Sequence, residues 1–247
     1  MQLWLCPLFA FLLGSIPFGL IIAKAKGINI REHGSGNIGA TNVLRVIGKK
    51  YGIICLLLDA LKGFIPVVIA INLIQITGKP ITAFHIGALD PFALHLPAAG
   101  QFKGQLIHVI TALAAILGHN YSPWVGFKGG KGIATSAGVL LALMPAGMGL
   151  LVIVWVIVFA LTRYVSLASI VAAAVLPLIT HIGARFHHVH NNKSLPTLWE
   201  AGTWNKPLFF FSLVIAILAI WKHRTNIDRL LEGTEHRFTR KPKSDDA

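Results

Sequence analysis

The sequence predicts an all-α, polytopic integral membrane protein of about seven transmembrane helices, with its N-terminus outside and its C-terminus in the cytoplasm. Three observations carry that prediction. Of the 247 residues 55% are hydrophobic and 13% charged, where soluble domains hold about 25% charged residues, and the mean hydropathy is +0.69. Several apolar windows approach the roughly 20 residues that a helix needs to cross the hydrocarbon core. The 22 Lys and Arg, against 9 Asp and Glu, gather in short gaps between those windows. A nucleic-acid binder would spread them over a soluble face, so the net charge of +13 reads as topology.

In order, the predicted spans are 3–24, 51–76, 104–118, 133–144, 150–162, 165–181 and 207–222, in one domain covering 1–247. The first follows Met-Gln with neither a basic leader nor a small-residue cleavage site, so it reads as a retained span. The windows 104–118 and 133–144 are short, the second ending at Pro145, so at least one is half-length or tilted. Between 133 and 180 two long spans compete with three shorter ones, and Arg163 with Tyr164 favours a turn. Seven spans place 16 of the Lys and Arg on one side, five on the other and Lys62 within a span, and the richer side is the cytoplasmic one. Every glycine-rich or mixed-charge segment falls there, while the outer loops at about 77–103 and 182–206 show no comparable pattern, and no internal repeat is seen. Cys6 and Cys55 sit in apolar runs without a CxxC partner, so neither a disulfide nor a zinc framework is expected.

Four segments carry chemistry. In the first, Gly34, Gly36 and Gly39 match GxGxxG, with Asp59 at the spacing of a ribose-binding acid. The match lacks a preceding strand, however, and Asp59 lies in a long apolar run. What remains is a loop whose glycines let backbone N–H groups close on an anion; Ser35, Asn37, Thr41 and Asn42 add donors and Arg45 a bidentate phosphate ligand. A tight loop capped by Ser35 or Asn37 is the competing reading. The second segment joins His119 and Asn120 to Lys128-Gly129-Gly130-Lys131-Gly132. Val125 and Gly132 stand where a nucleotide-hydrolysing loop needs Gly and Ser or Thr, so it reads as an anion loop or as a basic turn that fixes topology.

In the third segment Arg163 and Ser166 share a face if the stretch is helical, or Arg163 and Tyr164 simply anchor a span end. In the fourth, His223 and Asn226 lie one turn apart in a tail that otherwise reads as an amphipathic helix on the inner leaflet. Asp59 and Lys62, three apart within a span, are costly in lipid unless paired or wet and suit a structural ion pair near the cytoplasmic surface. The outer-loop pair His85 and Asp90 is read as coincidence, and His187, His188 and His190 lack a Glu or Cys to complete a metal site.

These segments are GSGNIGATNVLR from Gly34, GHN from Gly118 with FKGGKGIATS from Phe127, RYVSLAS from Arg163 and HRTNIDRLLEGTE from His223. With GSIPFG from Gly14 they resemble, in order and over nearly the whole chain, the bacterial acyl-phosphate:glycerol-3-phosphate acyltransferase family, the PlsY-type enzymes. The resemblance implies a multi-pass protein of the bacterial cytoplasmic (inner) membrane with its active site at the cytoplasmic face. It implies transfer of a fatty acyl group from acyl phosphate to the 1-hydroxyl of glycerol 3-phosphate, giving lysophosphatidic acid and phosphate in phospholipid biosynthesis. No metal, coenzyme A or other cofactor is expected.

By that resemblance Ser35, Arg45, His223 and Asn226 are the expected catalytic residues. Gly34, Gly36, Asn37, Gly39, Thr41 and Asn42 are expected to bind substrate or phosphate, together with His119, Lys128, Gly129, Gly130, Lys131, Arg163 and Ser166. Asp59, Lys62 and Glu235 are expected to be structural or supporting. Expected partners are acyl phosphate, glycerol 3-phosphate and membrane lipid, with a soluble acyl-phosphate-forming enzyme as supplier and no nucleic acid. The outer loops, each more than 20 residues, depart from the family pattern.

The chemistry agrees with the composition. Both substrates carry phosphate, so two adjacent anion sites are needed, and an acyl phosphate is already activated, so positioning and charge stabilisation suffice without a covalent nucleophile. Either His223 or a substrate phosphate oxygen can take the hydroxyl proton. An anion transporter would place its site near mid-membrane at a repeat interface, and a lipid-holding scaffold would leave both glycine-rich loops idle.

Overall fold

The computed structural model describes residues 2–78, 84–191 and 206–238. Lys79, Lys193 and the basic residues from Arg240 onward lie outside the described residues, as do the side chains of Arg185, His187, His188 and His190. The chain opens with α1 (Leu5–Gly14) and α2 (Phe18–Lys24). Pro17 separates them, lacking an N–H and disfavouring helix at Ile16, so the first apolar window is one broken span. A short helix α3 (Ala40–Val46) leads into the long α4 (Lys49–Leu73). The strands β1 (Ile74–Ile76) and β2 (Leu94–Leu96) pair in parallel outside the helical body. This ribbon is a small departure from the all-α expectation: β-branched Ile74 and Ile76 sit where α4 ends, and Thr77 continues the pairing by donating its N–H to Leu96.

Then come α5 (Gln101–Asn120), α6 (Ile133–Leu143), α7 (Pro145–Thr162), α8 (Val165–Asn191), α9 (Lys206–Lys222) and α10 (Arg224–Leu231). Among the described residues five segments are long and apolar enough to cross a membrane, or six if α9 and α10, bent by 54°, count as one. Helix α6, with 11 residues, rises only about 16 Å against a hydrocarbon core of about 30 Å.

The helices meet through small residues, as membrane helices do when hydrophobicity alone gives no preference for protein over lipid. Gly138 of α6 lies against the Ala60 carbonyl and Gly63 of α4 against Thr135, so neither has room for a Cβ. Gly14 and Gly118 close α1 onto α5 in the same way. A shared core draws on α4, α5, α6 and α9, while α7 buries only Leu151 and turns Ile153, Val156 and Ile157 outward. On the far side from the glycine-rich segments, Asn72 pins the connection after β1, donating to the Phe84 carbonyl at 2.9 Å and accepting from Ile86 N–H at 2.8 Å. His85 lies 2.9 Å from Asp90 in this same exposed region, away from the site described next.

Candidate active site

The first glycine-rich loop is organised by one amide. Asn42, 1% exposed, accepts the Ser35 N–H at 2.9 Å on Oδ1 and directs Nδ2 at the carbonyls of His33 (3.0 Å), Asn37 (2.9 Å) and Ile30 (3.3 Å). Gly34 has φ +60°, a conformation L side chains rarely adopt, and a Cβ there would strike Asn42 Oδ1. Asn37 Oδ1 accepts the Gly39 N–H at 3.1 Å. The loop thus presents Ser35, Thr41 and Arg45 on one side.

The glycine-lysine loop is zipped onto the end of α5: Gly129 N–H donates to the Asn120 carbonyl and Gly130 N–H to the His119 carbonyl, both at 3.2 Å. Gly132, at φ +80°, caps α6. Its first turn faces the site, so unpaired helix N–H groups open there. Arg31 ties the loop to the first one through the Lys128 carbonyl at 2.8 Å.

The tail closes the ring. Glu235 accepts from Ser166 and Asn226 on Oε1, each at 2.7 Å, and from Arg229 Nε on Oε2 at 2.8 Å, while Asn226 Oδ1 receives Lys131 Nζ. Burial would raise the Glu235 pKa, but these donors outweigh it and hold the carboxylate ionised. Burial, with Arg229 and Arg45 nearby, lowers Lys131 to about 8, Glu235 only partly opposing. Burial also lowers the Arg45 guanidinium somewhat. His223 bonds the Ala219 carbonyl through Nδ1 at 2.7 Å; burial and Lys131 lower it to about 4. Its imidazole is therefore neutral, with Nε2 left as an acceptor.

These groups surround one cavity of about 420 Å³. Its upper wall is polar, and below it runs between α6, α7, α8 and α9 past Leu140, Leu151, Trp155, Leu176 and Ile215. Of the residues singled out in the sequence, Ser35, Asn37, Gly39, Thr41, Asn42, Arg45, Asp59, His119, Lys131, Ser166, His223, Asn226 and Glu235 line it. Gly34, Gly36, Gly129 and Gly130 shape the loops behind that lining, and Lys62 lies behind Asp59. Two cations expected to contact phosphate do not line the cavity: Lys128 is exposed, and Arg163 sits at φ +65° as an exposed helix cap whose carbonyl accepts Phe238 N–H. In both cases the local backbone turns the side chain outward. Ser136, Arg229 and His236 also line the cavity and were not singled out. Arg229 lies one turn beyond Asn226, a helical spacing that would have found it.

The fold and the site define a multi-pass helical membrane protein with a cationic pocket opening onto an apolar cavity. The family model described as glycerol-3-phosphate acyltransferase matches residues 4–233, and the chain belongs to that family. A glycerol-3-phosphate acyltransferase of Aquifex aeolicus is 41% identical over 231 residues, covering 94% of this chain and 96% of that protein. One from Geobacter sulfurreducens is 41% identical over 230 residues, covering 93% and 94%. The crystal structure of PlsY, an integral membrane glycerol 3-phosphate acyltransferase, in its glycerol 3-phosphate form superposes with a TM-score of 0.74 at 38% identity, covering 97% of this chain and 96% of that one. Its lysophosphatidic acid form gives 0.72.

Proposed function

We propose that this chain transfers a fatty acyl group from acyl phosphate to the 1-hydroxyl of glycerol 3-phosphate, producing lysophosphatidic acid and phosphate for phospholipid synthesis. One observation carries the reading: Ser35, Arg45, Lys131, His223 and Asn226, from separate segments of the chain, meet around the mouth of a cavity whose deeper walls are apolar. A polar mouth suits two phosphates and an apolar depth suits an acyl chain. The names of the relatives supply the acceptor, and the activated donor explains the lack of any need for a covalent nucleophile.

In this reading Lys131 and Arg45 bind the phosphate of glycerol 3-phosphate, with Asn226 and Glu235 holding Lys131 in place. His223 Nε2 accepts a hydrogen bond from the attacking hydroxyl and aims it at the carbonyl. The first turn of α6 and Ser35 face the phosphate of the donor and the developing oxyanion. With His223 at about 4, a phosphate oxygen, whose second pKa is about 6, is the stronger base and takes the proton. Attack breaks the mixed anhydride, the oxygen–acyl bond forms and phosphate leaves.

Helix α9, added to the five long spans, and the half-length α6, which enters the membrane beside α7, make seven membrane segments in one domain over the chain, with the N-terminus outside and the site at the cytoplasmic face of the inner membrane. A soluble acyl-phosphate-forming enzyme then delivers the donor from the side where the mouth opens. Purified protein given palmitoyl phosphate and glycerol 3-phosphate releases phosphate in step with lysophosphatidic acid, and does so faster than with palmitoyl-coenzyme A. Equal or faster transfer from the thioester sinks the proposal.

A further inference from the structure

Beneath the glycine-lysine loop lies a buried charged cluster that the reaction as proposed leaves unused. Asp59 and Lys62 are each 2% exposed and His119 5%. Lys62 Nζ stands 2.8 Å from Asp59 Oδ1 and donates at 2.6 Å to the Ile16 carbonyl, which lies at the break between α1 and α2 and also accepts the Phe18 N–H at 3.1 Å. Asp59 Oδ1 in turn faces His119 Nδ1 at 3.7 Å. On its other side the His119 ring puts Nε2 in the space that a side chain at position 130 would need. Through their carbonyls His119 and Asn120 hold the two glycines that immediately precede Lys131.

For stability alone such a cluster has little to recommend it, because apolar residues of similar volume replace a buried ion pair at no loss or with a gain. Its contacts run instead in one direction, from the α1–α2 break through Lys62, Asp59 and the His119 ring to Gly130, and stop beside Lys131. Lys62 stands against Asp59 as its buried counter-ion. The carboxylate faces His119 Nδ1 at 3.7 Å, longer than a hydrogen bond but close enough to bias the orientation of the ring. The ring plane sets the height of Gly130, and hence where the Lys131 ammonium stands over the cavity.

We infer that Asp59, Lys62 and His119 are positioning residues for glycerol 3-phosphate: they act through the glycine-lysine loop by placing Lys131. The inference rests on the reading of Lys131 as the ligand of that phosphate. Because the three residues act on one substrate's anchor, disturbing them should weaken glycerol 3-phosphate and spare the acyl donor.

The test is the double variant Asp59→Leu/Lys62→Met, which removes both charges at similar volume. It is expected to raise KM for glycerol 3-phosphate by about tenfold or more, the scale at which a misplaced ligand acts, with a far smaller change in kcat and none in KM for palmitoyl phosphate. Hydrogen exchange of residues 126–132 should speed up while that of α7 stays put. Wild-type KM together with wild-type exchange in the loop overturns the inference and leaves the cluster a structural ion pair. Should the double variant fail to fold, His119→Asn and His119→Ala decide. Asn keeps an N–H where Nδ1–H stood, so it should recover glycerol 3-phosphate affinity over Ala; equal affinities overturn the inference. Exchange does not depend on turnover, so a wild-type protein without acyl transfer but with a loop loosened by the variants would refute the proposed reaction and keep the positioning claim.

Discussion

Lys131 gathers the electrostatics of the site into one side chain. Burial first, then Arg229 and Arg45, favour its neutral form and lower it to about 8. The amine is charged below that pH and loses its proton as pH rises through it. Since kcat/KM reports groups of the free enzyme, kcat/KM for glycerol 3-phosphate should fall above about pH 8, while kcat, measured with the dianion bound beside Lys131, stays level to higher pH. Glu235 opposes the lowering, so Glu235→Gln should move the break in kcat/KM to lower pH; a break that stays near 8 in that variant would show the carboxylate to be electrically irrelevant. Asn42 acts differently, through donors and acceptors alone. Asn42→Ala costs about 1–3 kcal/mol, because it leaves the Ser35 N–H and the Ile30 and Asn37 carbonyls without their partner, while the His33 carbonyl keeps the Gly36 N–H. Asn42→Asp keeps the acceptor and loses the donors, so it should rescue neither the unfolding temperature in detergent nor the turnover. At this scale the motifs that carry the resemblance contain Ser35, Arg45, Lys131, His223 and Asn226, and all five line the cavity. Lys128 and Arg163 stand in the same motifs and do not, because positive φ at Phe127 and Arg163 decides which way those segments turn, and no spacing rule reports it.

Between elements, glycine decides how closely helices approach. Gly138 faces the Ala60 carbonyl with no room for a methyl group, so Gly138→Ala must separate α4 from α6, at about 1–3 kcal/mol for overpacking. The displaced α6 carries its first turn and Ser136 away from the cavity, so turnover should fall with stability. Gly149, in α7, has open space around it, and Gly149→Ala should be neutral or stabilise by about 0.4–1 kcal/mol. Matched thermal unfolding of the two variants checks the contrast; equal losses would mean that helix propensity, not the α4–α6 approach, is being measured. Hydropathy made the long helices readable because a lipid-facing surface such as that of α7 must be apolar along its length. Pro17 was visible within the first window, but its consequence, a break that offers the Ile16 carbonyl to Lys62, depends on a residue 46 positions away. The β1–β2 ribbon has only three residues per strand, too few for an alternating pattern to show. Ser136 entered the site by the same convergence of distant segments, which local patterning does not encode, whereas Arg229 shares a helix with Asn226 and its spacing alone could have marked it.

Across the whole molecule, the cavity joins the two phases in which the proposed substrates live. Its mouth is built by polar loops, and its apolar part follows α8 from Ser166 to Leu176, ten residues or about 15 Å of helix. That is half of a hydrocarbon core of about 30 Å, the depth of one leaflet and so the length of one lipid acyl chain. A donor can therefore keep its chain at membrane depth while its phosphate stays at the polar end. Ala172, on the same face of α8 as Ser169 and Leu176, lines the middle of this passage. Ala172→Phe should block it below the mouth without touching the phosphate ligands. Palmitoyl phosphate should then lose about tenfold or more in kcat/KM, the scale of a displaced reacting centre, while octanoyl phosphate, whose chain ends above the block, keeps most of its rate. KM for glycerol 3-phosphate should not move. An equal loss for both donors would show that the acyl chain leaves the site by another route, sideways into the bilayer instead of down between α6 and α8.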